Sequence, residues 1–151
     1  MTYHLAQLNI GRMLAAIDDP IMAEFVANLD RINALADGAS GFVWRLQSDS
    51  GNATEFRPFA DEMLIVNMSV WESLETLKDY VYKSAHAEIM RNRRQWFEKM
   101  DEVFTVLWWI PAGTIPTVEE AKARLESLRQ HGETPYAFSF RRSFASEIDS
   151  K

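Results

Sequence analysis

Alternation of apolar and polar residues is clearest between Met63 and Trp71. There Leu64, Val66, Met68 and Val70 interleave with Met63, Ile65, Asn67 and Ser69, which predicts a β-strand. A shorter run, Tyr3 to Asn9, bounded by Gly11, predicts a first strand. Phe42 to Gln47 predicts another, with Phe42, Trp44 and Leu46 on one face. Phe104 to Ile110 is nearly all apolar and stops at Pro111, as expected of a strand covered on both sides. Between these runs the period changes to that of a helix. Asp18-Asp19-Pro20 is a helix start, and Ile21, Phe25, Leu29 and Ile32, with Met22, Val26 and Leu35, recur at helical spacing to Ala36, where Gly38 and Gly41 end the run. Trp71-Glu72-Ser73-Leu74 leads into a helix through Tyr82, and a further helical stretch is expected from Ser84 to about Lys99. Thr117 caps a last helix that carries Glu119 and Glu120 in its first turn and ends near His131-Gly132. Tyr136 to Phe144 is expected to add a final strand, and Ser48 to Pro58 a polar loop.

The order is β-α-β-β-α-β followed by one more helix and strand. The first six elements spell a ferredoxin-like α+β fold, in one domain over residues 1–151. Four strands with helices on one face leave the other face bare. Because both faces of the predicted strands carry apolar residues, a homodimer that covers the bare face is the expectation. The alternative is that the last helix and strand cover part of the sheet themselves.

Composition narrows the chemistry. The chain has 151 residues, 47% hydrophobic and 25% charged, and no cysteine. Disulfides, thiolate metal sites and cysteine nucleophiles are thereby excluded. A formal charge of −6 argues against nucleic acid as a partner. The N-terminus has no signal-peptide pattern, and the longest apolar run, Val106 to Pro111, is far below the roughly 20 residues of a membrane helix. A cytoplasmic protein without a membrane partner is expected. His4, His86 and His131 form no His-x-x-x-His pair, and no Glu-x-x-His, GxGxxG, P-loop or Gly-x-Ser-x-Gly motif occurs, so no metal site is expected.

Val70-Trp71-Glu72-Ser73 followed by a helix and Tyr82-Lys83-Ser84-Ala85-His86 resembles the dimeric α/β-barrel superfamily of antibiotic-biosynthesis and haem-degrading monooxygenases. Over nearly its whole length, through His4 to Asn9, Phe42 to Leu46 and Leu107 to Gly113, the chain is similar to the domain-of-unknown-function family 3291. The first resemblance implies a dimeric α/β barrel and oxygenase-like chemistry without a tightly bound metal or required cofactor, with haem as an alternative ligand. The haem-degrading members use an asparagine on strand one, a tryptophan on the helix after strand three and a histidine just beyond it. Asn9 and His86 match the first and last; at the tryptophan's place Tyr80 or Leu77 stands nearest, which argues against haem degradation.

His86 is the candidate general base, since imidazole titrates near neutral pH, and Asn9 the group that orients a substrate carbonyl. A helix-start histidine bonded to a backbone carbonyl is the bland alternative. Gln7 and Asn67 bring further amides to the central strands; they orient a ligand or bond one another. Trp44, Trp96, Trp108 and Trp109, with Tyr80 and Tyr82, are either walls of a pocket for a flat ligand or plain core. Arg93, within Arg91-Asn92-Arg93-Arg94, is a candidate for holding a substrate carboxylate; a solvated face is the alternative. Catalytic His86 and Asn9, with Asn67, Trp44, Tyr82, Trp96 and Arg93 binding a small hydrophobic or aromatic substrate, are the expected site. A non-catalytic ligand- or haem-binding dimer, or a structural dimer with no ligand, are the alternatives.

Overall fold

In a computed structural model, which describes residues 2–47, 63–83, 91–99 and 103–146, the strands form one four-stranded antiparallel sheet. β1 (Tyr3–Arg12) runs between β3 (Leu64–Trp71) and β4 (Thr105–Pro111), and β2 (Phe42–Arg45) lies outside β3. With α1 (Ala23–Asp37), α2 (Leu74–Lys83) and α3 (Val118–His131), the order is βαββαβ plus one helix, so the fold is ferredoxin-like α+β. No helix among the described residues is long and apolar enough to cross a membrane.

Alternation along the strands assigns the two faces. Ala6, Leu8 and Ile10 stand beside Val70, Met68 and Val66 of β3, and Ala6 and Leu8 beside Trp108 and Val106 of β4. This wholly apolar face packs on Ala121, Leu125 and Leu128 of α3, which share one helical side. Thr117 caps α3 by accepting from Glu120 N–H at 3.1 Å, and Gly132, at φ +73°, ends it. Trp108 Nε1 donates to Glu120 at 3.1 Å and ties the helix to the sheet. α3 covers this face within the chain, as the alternative to a second subunit there had it, and every buried strand residue of the cluster is 5% exposed or less.

The opposite face carries α1 and α2. Ser73 starts α2 by accepting from Thr76 N–H at 3.1 Å. Gly41, at φ +81°, carries the chain so close to Thr76 that no Cβ would fit. A register shift between Phe42 and Trp44 separates two residues expected on one face: Phe42 joins the cluster around Trp71, and Trp44 joins the α3 side.

Two further expectations are corrected. Beyond residues 84–90, which lie outside the described residues, the chain does not stay helical to Lys99. Arg93–Gln95 makes one 3-10 turn, and Phe97 bridges Met13 while Leu14 N–H donates to Trp96 O and Glu98 N–H to Arg12 O, each at 2.8 Å. Extending the helix would break these bonds at the end of β1. The expected strand Tyr136–Phe144 shrinks to one bridge to the sheet, in which Phe138 and Leu107 exchange backbone bonds of 2.8 and 2.9 Å. Ser139 Oγ, donating to Glu133 at 3.0 Å and accepting from Arg141 N–H at 3.2 Å, bends the chain away from the sheet edge. The loop expected at Ser48–Pro58 also lies outside the described residues.

Leu125 is the middle contact of α3 with the sheet and is 1% exposed. Leu125→Ala is expected to lower stability by about 2–5 kcal/mol through the lost contacts and the void left behind. Urea unfolding would measure this, and a loss below about 1 kcal/mol would show that α3 does not close that face.

Candidate functional site

The sheet face beneath α1 and α2 is polar in its middle. Gln7 and Asn9 of β1 stand beside Ser69 and Asn67 of β3, and Asn9 stands beside Thr105 of β4. Apolar clusters lie at both ends: Leu5, Trp71, Leu77, Leu107 and Phe138 at one, Met13, Met22, Ile65 and Trp96 at the other. An apolar helix face cannot press onto such a floor without stranding its amides, each at a cost of about 1–3 kcal/mol. α1 stands off accordingly. Of its 15 residues only Ala36 is buried, while Phe25, Leu29 and Ile32 look into a cavity of about 650 Å³ over the floor.

Hydrogen bonds hold the floor side chains in place. Gln7 Nε2 donates to Asn67 Oδ1 at 2.6 Å and to Ser69 Oγ at 2.7 Å, and Trp71 Nε1 donates to the same Ser69 Oγ at 2.8 Å. Asn9 Nδ2 donates to Thr105 Oγ1 at 2.6 Å. Gln7 Oε1 and Asn9 Oδ1 are left as acceptors and Asn67 Nδ2 as a donor, without partners among the described residues. Such a floor can orient a flat ligand that bears a carbonyl or hydroxyl.

Aromatic rings build the walls. At one end Phe97 lies flat over Gly11, where a Cβ would come within 2.9 Å of the ring, and Phe25 meets Phe97 edge-on at 5.0 Å. At the other Trp71 stacks on Tyr80 at 5.1 Å. Tyr80 Oη donates to Ile32 O at 3.1 Å and so ties α2 to α1. Burial raises the Tyr80 pKa well above that of a free phenol, against a smaller opposing pull from Arg45. At the rim Tyr82 meets Phe140 edge-on at 5.7 Å. Arg45, Arg91 and Arg93 also line the cavity, and Arg45 pairs with Asp37 at 2.8 Å.

Of the residues expected at the site, Asn9, Asn67, Tyr82 and Arg93 line this one cavity. Trp44 and Trp96 do not. Trp44 belongs to the α3 side of the sheet, and Trp96, 2% exposed, is packed with Met13 and Met22 behind the end wall. Trp108 lies under α3, and Trp109 Nε1 donates to Phe144 O at 2.8 Å outside the cavity. His86 lies outside the described residues. Ser69, Thr105, Trp71, Phe25 and Phe97 line the cavity without having been singled out as binding residues. A signal for one of them was present: Ser69, with the expected Asn67, makes the polar pair on one face of an otherwise apolar strand.

Fold and cavity together define a ferredoxin-like domain with a ligand-sized pocket between its sheet and two of its helices. The chain belongs to the family described as Domain of unknown function (DUF3291), which it matches over residues 4–151. A comparison with curated proteins finds no match. Among solved structures, a mutant of SnoaB, a cofactor-independent oxygenase from Streptomyces nogalater, is similar with a TM-score of 0.49 at 14% identity, over 74% of this chain and 95% of that one. A protein of unknown function from Nitrosomonas europaea is similar with a TM-score of 0.47 at 12% identity, over 77% and 97%. A candidate antibiotic biosynthesis monooxygenase from Chloroflexus aurantiacus J-10-fl gives 0.41 at 17%, over 75% and 97%.

The raised pKa of Tyr80 sets the sign of a pH effect. The folded state holds the phenolic proton more tightly than the unfolded state does. The resulting stability is present in full below the unfolded value near 10 and is lost as pH rises beyond it. Tyr80→Phe is therefore expected to flatten the alkaline decline in stability above about pH 10. Urea unfolding of both proteins from pH 8 to 11 measures it, and parallel declines would show that Tyr80 is not the group responsible.

Proposed function

We propose that this chain binds a small, flat, largely apolar molecule with a polar edge, seated on the amide floor between β1, β3 and α1. The observation that carries this reading is the stand-off of α1. Phe25, Leu29 and Ile32 face a cavity of about 650 Å³ instead of the sheet, and a flat ligand would cover them. The unspent acceptors of Gln7 and Asn9 and the donor of Asn67 would fix its orientation. All these groups come from one chain, so in a homodimer each protomer would carry its own whole pocket.

The catalytic form of the proposal is oxygenase-like turnover without a metal. His86 would take a proton from the substrate and Asn9 would hold the substrate carbonyl. In sequence His86 falls between Tyr82 and Arg91, both of which line the cavity. A non-catalytic binding role is favoured by a different observation. The described lining residues include no Asp, Glu or His, and the Tyr80 phenol is held protonated, so none of them serves as a base near neutral pH. Of the residue types that ligate haem iron, the described lining offers only tyrosine, at Tyr80 and Tyr82, and the Tyr80 phenol keeps its proton.

Fused-ring probes such as 9-fluorenone and 1-naphthol test the pocket. Both are expected to change tryptophan emission and to raise the melting temperature with the logarithm of probe concentration. Gly11→Val, which drives the Phe97 ring into the cavity, is expected to weaken binding by about tenfold or more. If no flat probe binds the wild type, or if Gly11→Val binds as well as wild type, the pocket reading fails. Oxygen uptake with bound probe that is lost in His86→Ala while binding persists supports the catalytic form. Binding without oxygen uptake supports the non-catalytic one.

A further inference from the structure

The pocket's charge runs against that of the chain. The sequence holds 22 Asp and Glu against 16 Lys and Arg, yet the described lining residues include three arginines and no carboxylate. Arg45 is committed to Asp37. Arg93 is held differently. Its Cζ lies 4.7 Å from the centre of the Phe104 ring and 5.5 Å from that of Phe97, and it has no carboxylate partner and no hydrogen-bond acceptor among the described residues. The rings favour the cation through their π faces. They accept none of the five guanidinium N–H bonds, which no described residue takes up and which suit a planar acceptor.

A guanidinium does not give up its proton in a protein, so this half-buried charge is permanent. Burial pulls its pKa below the ordinary value, the direction expected of a cation set among apolar groups. The two rings also hold the guanidinium in place, so little freedom is lost when a fork-shaped contact forms. Among the described residues no anion answers this charge, and one placed at the rim would have its apolar body over the floor.

We propose that the ligand is an aromatic or otherwise flat carboxylate whose acid group pairs with Arg93 while its ring system lies over Gln7, Asn9 and Asn67. This rests on the reading of the cavity as a ligand pocket and adds the charge class of what enters it. Arg93 acts as the specificity residue: it separates an acid from its neutral isostere of the same shape.

The test uses 2-anthracenecarboxylate and 2-anthracenecarboxamide, which share one ring system and differ in charge, titrated by fluorescence into the full chain. Wild type is expected to prefer the acid by about tenfold or more. Arg93→Gln is expected to abolish that preference by weakening the acid and leaving the amide within about twofold, with Arg93→Lys intermediate because an ammonium cannot make the forked contact. Arg93→Met, an unbranched apolar side chain without the charge, replaces the glutamine variant if that protein does not fold. A wild type that binds both probes equally, or a variant that weakens both equally or leaves the preference unchanged, overturns the inference while the pocket reading stands. A wild type that binds neither probe overturns the pocket reading itself.

Discussion

β1 presents two chemically different faces to the layers on either side, and neither layer could serve in the other's place. Ala6, Leu8 and Ile10 offer α3 a continuous apolar surface that a close-packed helix can cover. Gln7 and Asn9, one residue out of phase, offer α1 and α2 amides. The first face draws its helix in; the second keeps its helices away. A one-residue slip of β1 would put the amides under α3 and leave the cavity with an apolar floor, so strand register, core and pocket are fixed together.

Much of the architecture was readable in one sequence because it rests on local periodicity. The alternation of Met63 to Trp71 and the cap at Thr117 place β3 and α3 nearly where the structure has them. What failed depended on particular partners and not on periodicity. Phe97 leaves the helical path because Met13, far back in the chain, needs a neighbour, and Tyr136 to Phe144 bends because Ser139 finds Glu133 six residues before it. Trp44 changed sides through a bulge that no local pattern announces. The site was half legible for the same reason. Asn9 and Asn67 could be picked by type, but knowing that they sit opposite each other needed the β1–β3 register, and only that register joins Gln7 to Ser69.

The departure of residues 93–97 from the expected helix also shapes the site. The 3-10 turn ends where Phe97 folds onto Gly11, and this places the Arg93 guanidinium against Phe97 and Phe104 at the cavity. Gly11 thus serves packing and chemistry at once. Without a side chain it lets a ring lie on the backbone of β1, and the ring in turn carries a cation.

The single bridge between Phe138 and Leu107, with the bond from Trp109 to Phe144 O, has a consequence for how the sheet meets other chains. It occupies the outer edge of β4 at its centre, so a foreign strand finds no unbroken row of backbone groups there. Among the described residues the open edge is that of β2, four residues long and irregular beside Phe42 and Trp44. Growth of the sheet by strand addition, the first step of edge-to-edge aggregation, is left one direction, through a strand too short and too kinked to template much pairing.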